Sequence, residues 1–219
     1  MTSATRVRVW DLPTRLAHWL IVAGVAFSWW TAESGRMDWH RYSGHVLLGV
    51  VLFRLFWGFA GATTARFAHF VRGPRAVVDY LRARAPLTPG HNPLGALSVL
   101  ALLATLAVQI GLGLIAVDVD GIESGPLSMY VSFATGRTAA KWHHRIFDGL
   151  MWLIALHVVA VLFYLLVRRQ NLIAAMFTGE REYPAPPAET VRFASRARLV
   201  IGIILAGALT WMVARAFQF

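Results

Sequence analysis

The stretch WHHRIFDGLMWLIALHVVAVLFYLLVR, residues Trp142 to Arg168, decides the fold. It is long enough to cross a bilayer, yet it contains His143, His144 and His157, and imidazoles are scarce in such helices unless something binds them. On an α-helix, His143 and His157 lie about 40° apart around the axis and about 21 Å apart along it, whereas His144 points about 140° away from His157. Two ligands this far apart cannot share one metal ion. The spacing therefore predicts two separate cofactors, and we expect two haems.

The composition identifies an integral membrane protein. The 219 residues are 57% hydrophobic and only 15% charged, and the mean hydropathy is +0.55, which is far too apolar for an ordinary soluble domain. The net charge of +10 does not indicate nucleic-acid binding, because the arginines form blocks between hydrophobic runs. Since the chain has no cysteine, disulfides, iron–sulfur clusters and covalently attached haem are excluded, and histidine and methionine remain as metal ligands.

Five apolar runs predict an all-α fold, an integral membrane four-helix haem-binding bundle with a fifth, C-terminal transmembrane helix. The runs are residues 16–31, 40–60, 94–117, 142–168 and 199–214. The first is expected to be a retained span, because no small-residue cleavage site follows it. We expect residues 1–180 to form the di-haem bundle, 181–198 a cytoplasmic linker and 199–219 the additional helix. Residues 1–15 are interpreted as a basic tail, and an interfacial amphipathic helix is predicted to begin at Pro74.

Lysine and arginine positions predict the orientation. Fourteen of them lie in residues 1–15, 61–93 and 168–198, whereas the two other loops, around residues 33–41 and 118–141, contain Arg36, Arg41, Arg137 and Lys141. Positively charged loops stay in the cytoplasm, so the N-terminus is predicted to be cytoplasmic. His69 and His91 fall in the arginine-rich connection and are interpreted as surface or cap residues.

This orientation pairs the histidines by depth, because ligands to one iron must lie at one level. His157 and His18 lie towards the cytoplasmic side, whereas His143 lies at the outer side with His40 or His45. Both rings of a bis-histidine pair would occupy the iron, which favours electron transfer over substrate binding at the metal.

The choice between His40 and His45 depends on Arg54. Arg54 is about 40° from His40 around the helix but about 180° from His45. A buried arginine should face the bundle interior, where a haem propionate can pair with it, so His40 is favoured. Gly44 follows His40 by one turn and would leave room for a porphyrin face, although Gly49 stands in the same relation to His45.

Four motifs recur in the order of a known family. They are RLAHW at residues 15–19, H-x-x-x-G from His40 to Gly44, LFRLFWGFAG at residues 52–61, and W-H-(x)13-H from Trp142 to His157. Over about the first 180 residues the chain resembles the bacterial cytochrome b561 family, and it looks most similar to the branch with the b-type cytochrome subunits of nickel-iron hydrogenases. The resemblance puts the haem ligands at His18, His40, His143 and His157. Because His45 and His144 are additional histidines, it stays open whether His45 is the ligand in place of His40, or His144 in place of His143.

The resemblance implies a multi-pass protein of the bacterial inner membrane that transfers electrons through two b-type haems. Electrons would pass between the quinone pool and a periplasmic or membrane redox partner, for example a c-type cytochrome. The chain would act as an electron-transfer cytochrome or as the cytochrome subunit of an oxidoreductase. The alternative is a metal or proton transporter lined by histidines, which would need polar residues along a continuous path.

Overall fold

The computed structural model describes residues 5–82, 89–183, 187 and 189–216. Most of these residues are helical, which confirms the predicted all-α fold. The described helices are α1 (Leu12–Glu33), α2 (Met37–Ala60), α3 (Phe67–Phe70), α4 (Pro74–Leu81), α5 (Pro93–Ile115), α6 (Phe133–Leu166), α7 (Leu172–Thr178) and α8 (Arg196–Ala216), and the described strands are β1 (Thr5–Arg8) and β2 (Glu180–Tyr183). Arg84, one of the fourteen positively charged residues used to predict the orientation, lies outside the described residues.

Four of the described helices, α2, α5, α6 and α8, are long and apolar enough to cross a membrane. Each coincides with a predicted span, so the chain is a multi-pass membrane protein. Helix α1 has 22 residues and is not among these four helices. Its crossing of the membrane stays a prediction.

Helix α6 is longer than its hydrophobic run. It begins at Phe133 and has 34 residues, so the predicted 118–141 loop is wrong for its last nine positions. Residues 133–141 are too polar to extend the apolar run, but their alanines favour a helix. The Ser132 hydroxyl accepts a hydrogen bond from the Thr135 amide at 3.2 Å, which satisfies one of the free N–H groups at the helix start.

By backbone contacts the chain divides into two compact units. The first comprises Met1–Leu16, Arg54–Ala101 and Ala155–Gly202. In it, β1 pairs antiparallel with β2, and Val9 and Trp10 are buried against Ala175 and Tyr183. The predicted N-terminal tail is therefore folded from Thr5 onwards, because its alternating and aromatic residues complete a small core. Helix α4 begins at Pro74, as predicted.

The second unit comprises Ala17–Phe53, Leu102–Ile154 and Ile203–Phe219. Its helices pack closely at glycines: an added Cβ at Gly24 would lie 2.7 Å from the Leu47 side chain, and one at Gly49 would lie 3.1 Å from the Thr210 hydroxyl. Small residues allow such close approach between helices in a bilayer. Helix α8 thus packs against α2 within this unit.

Candidate functional site

Two histidines from different helices of the second unit lie face to edge. The ring centroids of His40 in α2 and His143 in α6 are 6.1 Å apart, and their planes are at 89°. With metal–imidazole bonds of about 2 Å, two imidazoles on opposite sides of one metal ion would have ring centres about 6 Å apart. The separation in this pair is therefore suitable for a shared metal ion.

Each of these rings is held through Nδ1 by a carbonyl on a neighbouring helix. The His40 Nδ1 lies 2.9 Å from the Ser28 carbonyl oxygen of α1, and the His143 Nδ1 lies 2.9 Å from the Gln109 carbonyl oxygen of α5. A carbonyl can only accept, so both Nδ1 atoms carry the proton and donate. The Nε2 lone pairs are then available as ligands, and neither Nε2 has a hydrogen-bond partner among the described residues. This arrangement is typical of metal-bound histidine.

Two glycines leave space around the pair. Gly113 of α5 lies under the His143 ring, since an added Cβ would stand 2.9 Å from its Cε1 atom. At Gly44, one turn after His40, an added Cβ would meet no described heavy atom within 4 Å. The predicted Gly44 therefore borders open space, and the donor set, the tautomers and this space suit a haem held by two imidazoles.

The alternative ligands are placed differently. The His45 Nδ1 lies 2.9 Å from the Arg41 carbonyl oxygen of its own helix, and its Nε2 is buried without a partner among the described residues. His144 is exposed, as is Asp148. The only described histidine ring stacked near His40 belongs to His143, so the structure brings together the pair that the Arg54 argument favours.

The second predicted pair falls in different units. His157, in the first unit, has its Nδ1 3.4 Å from the Ser98 hydroxyl of α5. His18, in the second unit, stacks edge to face on Trp19 with centroids 4.9 Å apart. Both rings are half-buried, and their pairing stays a prediction.

Arg54 belongs to a buried polar network in the first unit. Its side chain is 6% exposed, lies over the Phe67 ring at 5.5 Å and is attracted by the Asp11 carboxylate. Asp11, 7% exposed, accepts hydrogen bonds from the Thr14 amide at 3.0 Å and from the Trp57 indole at 2.9 Å. The arginine is thus buried, as predicted for an interior position, and its role towards a haem propionate stays a prediction.

Sequence reasoning missed a phenol cluster in the first unit. The Tyr80 and Tyr164 hydroxyls are hydrogen-bonded to each other, and the Asn92 side-chain amide donates to the Tyr164 oxygen at 2.8 Å. Burial, together with the bond to Tyr164, raises the pKa of Tyr80 to about 12. Its phenol therefore stays protonated at neutral pH. Tyr164 follows His157 by seven residues, about two turns on the same helix face, which is the one signal that could have pointed to it.

The two remaining histidines lie in the first unit. His69 forms an ion-pair contact with Glu189, with Nε2 2.8 Å from the carboxylate, as a surface residue can. His91 instead packs between Trp10 and Phe70, with ring centroids 4.6 and 4.7 Å away. His91 is half-buried beside the start of α5, and its interpretation as a surface or cap residue stays a prediction.

Comparison with known proteins identifies the same family as the motifs. The model of prokaryotic cytochrome b561 matches residues 9–179. A probable Ni/Fe-hydrogenase B-type cytochrome subunit of Bradyrhizobium diazoefficiens is 22% identical over 215 residues, covering 81% of this chain and 86% of that protein. A protein of the same description from Azotobacter chroococcum is 25% identical over 215 residues, covering 82% of this chain and 90% of that protein. No solved structure matches. Since the family model covers most of the chain, including all four predicted histidine ligands, the protein belongs to the prokaryotic cytochrome b561 family.

Proposed function

We propose that the chain transfers electrons across the membrane through two bis-histidine b-type haems. Membership of the family makes it a membrane cytochrome that transfers electrons through haem b. The proposal adds the number of haems and the ligands: His40 with His143 for one haem, called the outer haem, and His18 with His157 for the other, called the inner haem.

The observation that carries the proposal is the His40–His143 pair. The two rings come from different helices, stand 6.1 Å apart and each donate Nδ1–H to a backbone carbonyl at 2.9 Å. These bonds fix the tautomer and direction of both rings before any cofactor binds, which keeps each Nε2 as a lone-pair donor. Half-buried imidazoles with this tautomer are suited to low-spin haem ligation.

The work of the chain is to hold, insulate and space the cofactors. A bound haem supplies a reversible one-electron couple. The imidazoles of His40, His143, His18 and His157 would hold the two haems, and a pair of imidazoles on each iron would keep oxygen and substrates away from it. The apolar spans around them exclude water, and His143 and His157 both lie in helix α6.

The inner haem is proposed from the sequence together with the position of His157. His157 and His18 match the family motifs, and the Ser98 hydroxyl lies beside the His157 Nδ1. Arg54 is proposed to pair with a propionate of this haem, and Gly44 to border the porphyrin of the outer haem. Residues 181–198 and 199–219 are proposed as the cytoplasmic linker and the additional membrane helix.

The electron partners are proposed at the level of class. Two relatives are described as hydrogenase cytochrome subunits, which supports a redox protein as one partner, either periplasmic or in the membrane, such as a c-type cytochrome. The quinone pool is proposed as the other. The lysine and arginine distribution supports the bacterial inner membrane with a cytoplasmic N-terminus. Among the described residues no group of three or more metal-ligating side chains occurs, and no observation there favours the histidine-lined transporter.

The proposal is tested by haem quantification on the purified membrane protein. Extraction into alkaline pyridine should yield b-type haem at about two molecules per chain, and the absorption bands should sharpen on reduction with dithionite. The reduced protein should not bind carbon monoxide, because two histidine ligands per haem would leave no free coordination position on the iron. A colourless protein would contradict the family assignment of function, and one haem per chain would contradict the proposed ligand pairs.

Alanine at Gly113 tests the outer site separately. Its methyl group would stand 2.9 Å from the His143 ring, so the ring must move, at an overpacking cost of about 1–3 kcal/mol. We expect a lower thermal midpoint of haem release for one haem. Gly111→Ala is the matched control, because an added Cβ there meets no described atom within 4 Å. Equal midpoints for the two variants would show that Gly113 does not support His143.

A further inference from the structure

Two serine hydroxyls in the apolar helices lie beside proposed haem ligands. The Ser28 Oγ of α1 is 3.2 Å from the His40 Nδ1, and the Ser98 Oγ of α5 is 3.4 Å from the His157 Nδ1. Each contact lies inside one unit: Ser28 and His40 belong to the second, Ser98 and His157 to the first. The two ligands thus have similar side-chain partners on separate helices.

The surroundings of the two Nδ1 atoms differ. The His40 Nδ1 has two oxygens of one residue within reach, the Ser28 carbonyl at 2.9 Å and the Ser28 hydroxyl at 3.2 Å. The same carbonyl lies 2.9 Å from the hydroxyl of the fully buried Thr31, so it is shared. At His157 the Ser98 hydroxyl is the one hydrogen-bond partner of Nδ1 among the described residues.

These contacts act on the electronics of the ligand. With Nε2 on a metal, Nδ1 carries the proton, and an oxygen beside it accepts. An acceptor at Nδ1–H raises the basicity of the imidazole, which stabilises the ferric iron relative to the ferrous iron and so lowers the reduction potential. The acceptor also limits rotation of the ring about its Cβ–Cγ bond.

We propose that Ser28 and Ser98 are positioning residues that set the reduction potentials of the two haems independently, Ser28 through His40 and Ser98 through His157. This rests on the proposed ligands. Without the Ser28 hydroxyl, the His40 Nδ1–H still donates to the Ser28 carbonyl. Without the Ser98 hydroxyl, the His157 Nδ1–H loses its one acceptor among the described residues. Both changes raise a potential, and each does so for a different haem.

The test is a redox titration of the purified two-haem protein, followed by the reduced absorption band. Ser28→Ala is expected to raise the midpoint potential of one haem, and Ser98→Ala that of the other. Each change should raise the equilibrium constant for reduction by up to about tenfold, which is at most about 59 mV for a one-electron couple. Haem content should not change. Ser28→Thr and Ser98→Thr keep the hydroxyl, so their midpoint potentials should stay closer to those of the wild type than the potentials of the alanine variants do.

Ser43→Ala is the matched control. Ser43 is buried and lies one turn from His40, but its hydroxyl donates to the His40 carbonyl oxygen at 2.8 Å and not to the ring. This variant should leave both midpoints unchanged. If it moves the His40 haem as much as Ser28→Ala does, the effect comes from packing and the proposal is overturned.

Assignment of each shift uses a chain with a single haem. In a His143→Ala background, only the inner haem should remain, so Ser98→Ala should still raise its midpoint and Ser28→Ala should not. Unchanged midpoints in the two-haem protein, or shifts of the same haem by both serine variants, would overturn the roles of the serines while leaving the proposed function intact. A wild-type protein with fewer than two haems would instead contradict the proposed function.

Discussion

Alanine at His143 is expected to halve the haem content of the purified protein and to leave one low-spin b-type haem. The reason is that the outer haem would lose one of two axial bonds, whereas the inner haem, assigned to His18 and His157, keeps both. A haem held by the remaining His40 alone is exposed to exchange and to exogenous ligands. The measurement is pyridine extraction together with carbon monoxide binding to any haem that stays at the altered site.

His144→Ala provides the control, since this neighbour is an exposed histidine of the same helix. It should keep both haems. His157→Ala should also halve the haem content but remove the other haem, so the double variant of His143 and His157 should be colourless. If His144→Ala loses a haem and His143→Ala does not, the two histidines exchange roles and the ligand assignment is wrong.

Alanine at Asp11 is expected to destabilise the first unit by about 3–5 kcal/mol. Three interactions are lost together. The carboxylate caps α1 through the Thr14 amide and accepts from the Trp57 indole, and its negative charge lies near the buried guanidinium of Arg54. A buried cation that loses its anionic partner is costly because water does not replace it. Thermal unfolding in detergent, followed by circular dichroism, measures the change.

Two comparisons separate these contributions. Asp11→Asn keeps one acceptor oxygen, which can serve the Thr14 amide or the Trp57 indole but not both, and it removes the charge, so its unfolding midpoint should lie between those of the wild type and Asp11→Ala. Asp120→Ala removes an exposed carboxylate and should leave the unfolding midpoint unchanged. If the Asp11→Ala and Asp120→Ala proteins have the same unfolding midpoint, the buried charge of Arg54 does not need Asp11 as its partner.

The spans were predictable because the bilayer demands long apolar helices. The runs at residues 40–60, 94–117 and 199–214 match α2, α5 and α8 to within a few residues. The start of α6 was not predictable from hydropathy, since residues 133–141 form a helix through alanine content and the Ser132 cap. The strands were missed because each has four residues and its partner lies at the other end of the sequence.

At the candidate site, residue type and period predict His40 and His143 as ligands of one haem, and this role stays a prediction. Arg54 favoured His40 over His45 because both would face inwards, and the observed His40–His143 contact involves that same pair. The roles of the Ser28 and Gln109 carbonyls could not be predicted, because every residue has a carbonyl and only helix packing decides which one meets an imidazole. The available signal was that Ser28 and Gln109 are polar residues inside apolar runs.

The pairing of β1 with β2 constrains the order in which the parts of the protein can fold during synthesis. Thr5 pairs with Tyr183, so the first strand to leave the ribosome waits for a partner near the end of the chain. At synthesis rates of about 5–20 residues per second, this wait is roughly 10–35 s. Helices α1, α2, α5 and α6 are synthesised during that time. The N-terminal segment, with Trp10 and the cap residue Asp11, therefore closes the first unit late in biogenesis.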